Sequence, residues 1–125
     1  MVCAISVVVI DAVDVDLVAR FWCDVLGWVE LERDDDVVSI GPVHGPAGID
    51  VARVPEPKQG KNRLHLDLRA DGPSTADELA RLLALGAERV DVGQGDVSWA
   101  VLADPEGNEF CLLSRTVSEA AGTLG

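Results

Sequence analysis

The sequence has few basic residues. Its 125 residues include only 10 Lys and Arg against 22 Asp and Glu, which gives a formal net charge of −12. A surface of this sign repels phosphate backbones and anionic lipids, and no basic stripe interrupts it. The composition therefore excludes nucleic-acid and membrane partners. It favours neutral or cationic small ligands, although solubility alone is a sufficient reason for the charge.

Cysteines are also few, and long apolar runs are absent. Cys3, Cys23 and Cys111 are an odd number and include no CxxC pair, so no disulfide framework is predicted. All three lie in apolar segments, where we expect small buried hydrophobes in a reducing compartment. The early run "AISVVVI" is too short to span a membrane and lacks the basic leader of a signal peptide. We expect a cytoplasmic protein.

The hydrophobic pattern predicts one series of a strand, a helix and three further strands, and this series occurs twice. In the first half, "CAISVVVID" has strand composition, and a helix follows between a capping Asp14 and a terminal Gly27. The segments "WVELER" and "VVSIG", joined by a turn at "DDD", and then "GIDVARV", are the next strands. In the second half, "RLHLDLRA" precedes a helix between Ser74 and Gly86. "AERVDV" and "VSWAVLA" then pair around a turn at "GQGD", and "NEFCLLSR" follows the turn "DPEG".

The two halves align at a fixed offset, since the prolines of "GPAG" and "DPEG" lie 59 residues apart. Such an offset is typical of a duplicated unit. We predict an α+β fold in which two tandem βαβββ units form a curled mixed sheet around a cleft. The predicted boundaries are a single domain over 1–118, with unit one at about 3–54, a linker at 55–62 and unit two at about 63–114, and a tail over 115–125 that is expected to fray.

Three motifs carry a resemblance to a known family. "ARFWCDVLGW", "HLDLR" and "LADPEGNEF" are similar to segments of the glyoxalase, bleomycin-resistance and extradiol-dioxygenase group, the vicinal oxygen chelate superfamily. The resemblance covers residues 3–114 and implies the duplicated fold. The group includes isomerases, dioxygenases, lyases, epimerases and drug-binding proteins, so the resemblance alone does not select an activity. Relatives with two units commonly pair, which makes a homodimer possible.

Metal-using members of the group place ligands at four equivalent positions on cleft-facing strands. The resemblance maps these positions onto Val7, Ala52, His65 and Cys111. His65 is an ordinary ligand of the group, and Cys111 would serve only a soft metal as thiolate. A divalent metal needs three or more donors, so we predict no metal and no other cofactor. Asp67 and Glu109 share the strand parity of His65 and Cys111, which leaves a rearranged site open.

Alternation in "RLHLDLRA" predicts that Leu64, Leu66 and Leu68 face the helix and that the intervening side chains face the cleft. The predicted ligand-binding residues are Val7, Ala52, His65, Asp67, Arg69, Trp99, Glu109 and Cys111. Among them, His65, Asp67 and Glu109 are candidates for catalysis.

Each candidate has a simpler interpretation. His65 is interpreted first as a neutral hydrogen-bonding group and second as a general acid or base. Asp67 beside Arg69 is more typical of an ion pair than of a catalytic carboxylate. Cys111 with His65 would make an activated thiolate only in an electropositive site. Trp99 is either a core residue or a flat platform for a ligand ring.

Three functions therefore compete. The first is a metal-free binding protein of the bleomycin-resistance type, which holds a small neutral or cationic ligand. The second is a glyoxalase-like lyase, isomerase or dioxygenase that uses His65 with acidic neighbours, with or without a divalent metal. The third is an interaction domain whose cleft has collapsed.

Overall fold

The computed structural model describes residues 1–90 and 99–121. The chain divides into two compact units, Met1–Lys58 and Gln59–Gly125. The first unit consists of β1 (Val8–Ala12), α1 (Val15–Leu26), β2 (Val29–Arg33), β3 (Val37–Gly41) and β4 (Ile49–Arg53). The second consists of β5 (Asp67–Leu68), α2 (Thr75–Leu85), β6 (Glu88–Arg89), β7 (Ala100–Ala103), β8 (Glu109–Leu112) and α3 (Val117–Ala120).

Each unit has a four-stranded mixed sheet with the same connectivity. The strand order is β1-β4-β3-β2 in the first unit and β5-β8-β7-β6 in the second. In both, the first strand runs parallel to the last, while the other neighbours are antiparallel. The predicted duplicated βαβββ arrangement and α+β class are confirmed.

Both long helices begin and end at the predicted residues. The Asp14 carboxylate accepts from the Leu17 N–H at 3.1 Å, and the Ser74 hydroxyl accepts from the Asp77 N–H at 3.2 Å. These caps satisfy amide groups that have no partner within the helix. Gly27 and Gly86 end the helices with φ of 68° and 116°, in the left-handed region that a side chain disfavours.

The apolar side of α1 covers the first sheet. Val18, Phe21, Trp22 and Val25 are buried on this side, as their helical spacing predicts. The rings of Phe21 and Trp22 meet edge to face with centroids 5.3 Å apart. Val38, Ile40, Ile49 and Val51 on β3 and β4 complete the buried core of this unit.

The first strand of each unit is shorter than its sequence pattern predicts. β1 begins at Val8, so Val7 precedes it, and β5 contains only two residues. Leu64 lies in a bend before β5 and is 90% exposed. The predicted contact of Leu64 with the helix is therefore wrong, because the pairing to β8 begins only at the Leu66 carbonyl. Alternation shows which residues can form a strand, but the partner strand determines where pairing begins.

The N-terminal and C-terminal segments also differ from expectation. Cys3 is exposed and Cys23 is half-buried, so among the three cysteines only Cys111 is fully buried. Residues 117–120 form a helix, although the tail is expected to fray. Thr116 and Glu119 make a reciprocal capping box there, and the Val117 N–H donates to the Ala70 carbonyl at 2.9 Å.

The sequence predicted turns at "DDD" and "GQGD", each between two strands of one unit. Asp34 in "DDD" accepts from the amides of Asp36 and Val37, both at 2.8 Å, which confirms the first hairpin. The predicted turn "GQGD" lies outside the described residues. Within the described part of the chain, no helix combines the length and hydropathy that a membrane crossing requires.

The turn "DPEG" is built on a buried carboxylate. Asp104 is 3% exposed and accepts from the Glu106 amide at 2.9 Å and from the Asn108 amide at 3.0 Å. Its second oxygen accepts from the Asn108 side chain at 2.9 Å. Because β8 starts at the next residue, this network fixes the position at which the strand enters the sheet.

Candidate ligand-binding site

Parallel pairing of β5 with β8 places Asp67 opposite Cys111. Around this pair, the second unit contains a cavity of about 290 Å³. It is lined by Lys61, His65, Asp67, Trp99, Val101, Glu109, Phe110, Cys111 and Leu113. The cavity thus brings five of the predicted site residues together: His65, Asp67, Trp99, Glu109 and Cys111.

Asp67 is the centre of a cluster with His65 and Cys111. Its Oδ1 lies 2.9 Å from Nδ1 of His65, and its carboxylate lies within 4.8 Å of the Cys111 sulfur. The side chains of His65 and Asp67 are about half exposed, at 41% and 48%. Asp67 therefore pairs with His65, which contradicts the interpretation of an ion pair with Arg69.

The buried thiol of Cys111 is held in its neutral form. Burial raises its pKa, and the negative charge and hydrogen bond of Asp67 raise it further. The thiolate, not the thiol, is the nucleophile and the metal ligand. The environment of Cys111 therefore opposes the activated thiolate considered above.

Thiol labelling at mildly alkaline pH tests this environment. We expect Cys3 to react first and Cys111 at least about tenfold more slowly, because its thiolate is disfavoured and its side chain is buried. Mass spectrometry of the digested protein gives the order of modification. Unfolding in urea is the control and should make all three cysteines react alike. Labelling of Cys111 as fast as Cys3 in folded protein would contradict the assignment.

Two charged side chains of opposite sign lie beside the cluster. Glu109, at the start of β8, accepts the Asn62 N–H through Oε1 at 2.7 Å. Lys61 donates from Nζ to the Asn62 carbonyl at 3.1 Å. With His65 neutral, the lining carries two carboxylates and one ammonium, so its net charge is negative.

Trp99 exposes an aromatic surface at the cavity. It immediately precedes β7 and is 41% exposed, which excludes the core interpretation and is consistent with a platform. Val101, two residues later, lines the same cavity and pairs with Cys111 across the sheet. Alternation in "VSWAVLA" was the signal that could have added Val101 to the predicted site. Lys61, in the predicted linker, offered no such signal.

The other three predicted residues lie elsewhere. Arg69 does not line the cavity, since its guanidinium donates to the Arg115 carbonyl at 3.1 Å. Val7 and Ala52 belong to the first unit, where Ala52 pairs with Asp11 of β1. Their participation in a ligand site stays a prediction.

The same cluster contains three potential metal ligands. Among the described residues, His65, Asp67 and Cys111 each offer a ligand atom, and these atoms lie within 4.8 Å of one another. The two family positions, His65 and Cys111, supply two of these donors, and Asp67 supplies the third, as in the rearranged site that the strand parity left open. The chemistry still fits a divalent metal poorly. Burial and the nearby charge of Asp67 raise the pKa of the Cys111 thiol, and Nδ1 of His65 donates to Asp67, whereas a metal needs deprotonated ligand atoms with a free lone pair.

The family model of the glyoxalase-like domain matches residues 7–113. The chain belongs to this family. The match covers most of both units and agrees with the resemblance carried by the three sequence motifs. No curated protein sequence matches the chain significantly.

Solved structures share the fold of this glyoxalase-like domain at low sequence identity. A glyoxalase/bleomycin resistance protein/dioxygenase family enzyme from Burkholderia phytofirmans is 22% identical, with a TM-score of 0.64 over 86% of this chain and 94% of that one. The fosfomycin resistance protein FosX from Listeria monocytogenes, complexed with Mn(II) and sulfate, is 17% identical, with a TM-score of 0.70 over 95% and 98%. FosX from Mesorhizobium loti is 16% identical, with a TM-score of 0.65 over 95% and 97%.

Proposed function

We propose that this glyoxalase-like domain is a small-molecule-binding protein that holds a neutral or cationic organic ligand, without a metal, in the cavity of its second unit. The observation that carries the proposal is the half-exposed Trp99 in a cavity that also contains the carboxylates of Asp67 and Glu109. An aromatic face beside negative charge is the usual environment of a bound organic cation.

The dimensions of the cavity favour a small ligand. Its volume of about 290 Å³ lies at the lower end of the range for ligand pockets, which is roughly 300–1,000 Å³. One ring with a short substituent fits this space. Val101 and Leu113 provide apolar surface for the ring, while the charged residues fix its orientation.

The cluster of His65, Asp67 and Cys111 supports binding without a metal. The Nδ1 of His65 donates to Asp67 at 2.9 Å, so this nitrogen has no free lone pair for a metal. The Mn(II) of the Listeria FosX structure is a hard ion that prefers oxygen and nitrogen ligands. A neutral, buried Cys111 thiol is a poor substitute for such a ligand.

Tryptophan fluorescence tests the proposal, because Trp99 reports directly on the cavity. Titration with benzylamine as probe should change the emission saturably. The response should disappear in Trp99→Phe and persist in the matched variant Trp28→Phe, whose indole lies against Gly48 in the first unit. A folded protein that shows no saturable change with benzylamine or larger aromatic amines contradicts the proposal.

A second function is favoured by the His65–Asp67 pair. A histidine whose Nδ1 bonds a carboxylate can act as a general base through Nε2, as a lyase or isomerase would require. Nuclear magnetic resonance of a bound compound separates the two functions. An unchanged compound supports binding alone, whereas conversion that is lost in His65→Gln supports an enzyme.

A further inference from the structure

The hydrogen bond between Asp67 and His65 determines the tautomer of the imidazole. An ionised carboxylate can only accept, so Nδ1, at 2.9 Å from Oδ1, carries the proton. In a neutral imidazole the other nitrogen, Nε2, is then a hydrogen-bond acceptor. His65 lines the cavity with 41% of its side chain exposed.

The carboxylate that imposes this tautomer is itself held in place. Asp67 is one of the two residues of β5, and its backbone pairs with Cys111 of β8. The Cys111 sulfur lies within 4.8 Å of the same carboxylate. The backbone register and this neighbour thus restrict the position of Asp67, and through Asp67 that of His65.

We propose that Asp67 is a positioning residue that makes His65 present Nε2 as an acceptor, so that the site recognises its ligand through the N–H groups of a protonated amine. This inference rests on the function proposed above and narrows its ligand class. The negative charge of the lining alone would favour any organic cation, including quaternary ammonium ions. The Nε2 acceptor of His65 favours a ligand that also carries an N–H donor, because a quaternary group would leave Nε2 without a hydrogen-bond partner.

The other charged groups of the lining agree with this class. Glu109 adds negative charge on β8, and Trp99 adds an aromatic face. The positive charge of Lys61 repels a protonated amine, although its ammonium group donates a hydrogen bond to the Asn62 carbonyl. We therefore expect Lys61→Gln to tighten amine binding by about two- to fivefold, a range typical of one partly exposed charge.

Three probes of similar shape separate charge from donor. Benzylamine is a cation with N–H donors, benzyltrimethylammonium is a cation without them, and benzyl alcohol is a neutral donor. By calorimetry we expect benzylamine to bind about tenfold more tightly than either of the others, in keeping with one charge-assisted hydrogen bond. In Asp67→Asn the preference over the quaternary ion should fall to about twofold. Asp71→Asn, which removes an exposed carboxylate outside the cavity lining, should retain it.

The outcomes are distinguishable. Equal binding of the two cations would overturn the inference and leave the proposed function intact. Saturable binding of none of the probes would overturn both.

Nitrogen-15 chemical shifts of the ligand-free protein test the tautomer independently of any ligand. We expect the Nδ1–H form for His65, with signals assigned by comparison with His44→Gln. In Asp67→Asn the amide can donate to Nδ1, so the Nε2–H form should gain population. A loss of packing alone would not exchange the tautomers. A dominant Nε2–H form in the unmodified protein would overturn the assignment of Asp67.

Discussion

Replacing Asp104 by alanine is expected to lower the free energy of unfolding by about 3 kcal/mol. The carboxylate is 3% exposed and accepts from two backbone amides and one side-chain amide. Its removal leaves these donors without their partner, and each unsatisfied buried group costs about 1–3 kcal/mol, reduced where water can enter. Urea denaturation measures the change.

Two variants control the interpretation of the Asp104 experiment. Asp104→Asn retains an acceptor oxygen and should lose less than half as much stability. Asp71→Ala removes an exposed carboxylate from the same unit and should change stability by less than about 0.5 kcal/mol. A loss below about 1 kcal/mol in Asp104→Ala would contradict the structural role assigned to the turn.

Replacing Trp99 by alanine is expected to weaken binding of benzylamine by about 10- to 30-fold. The indole is 41% exposed at the cavity, where it offers dispersion contacts to a ring and an electrostatic attraction to a cation. Together these contribute roughly 1.4–2 kcal/mol. Calorimetry is the appropriate measurement, since the variant lacks the fluorophore that reports on the site.

The conservative variant separates stacking from a structural effect. Trp99→Phe keeps an aromatic face and should lose only about threefold in affinity. Unchanged affinity in Trp99→Ala, with the fold intact by circular dichroism, would show that the ligand does not contact this residue.

The helices and the duplicated connectivity could be predicted because their signals are local. Asp14, Gly27, Ser74 and Gly86 mark helix ends through contacts within a few residues. The lengths of β1 and β5 could not be predicted, because an edge strand extends only as far as its partner provides hydrogen bonds. Leu64, patterned as a strand residue, is exposed for this reason.

In the candidate site, too, features with a local signal could be predicted from the sequence, and features that depend on strand pairing could not. Parity along β8 grouped Glu109 and Cys111, and both residues line the cavity of the second unit. The approach of Asp67 to Cys111 depends on the register of β5 against β8, which no local pattern determines. The choice of Asp67 between His65 and Arg69, each two residues away, was also open in the sequence, and the interpretation of Asp67 as a partner of Arg69 was wrong.

The measurement that tests the central claim most directly is calorimetric titration of the protein with benzylamine after exhaustive dialysis against EDTA, and again after addition of Mn(II). The account predicts saturable binding at one site with the same Kd in both samples, because the cavity residues themselves hold the ligand. Binding that appears only after Mn(II) is added, with the metal retained in stoichiometric amount, would contradict it.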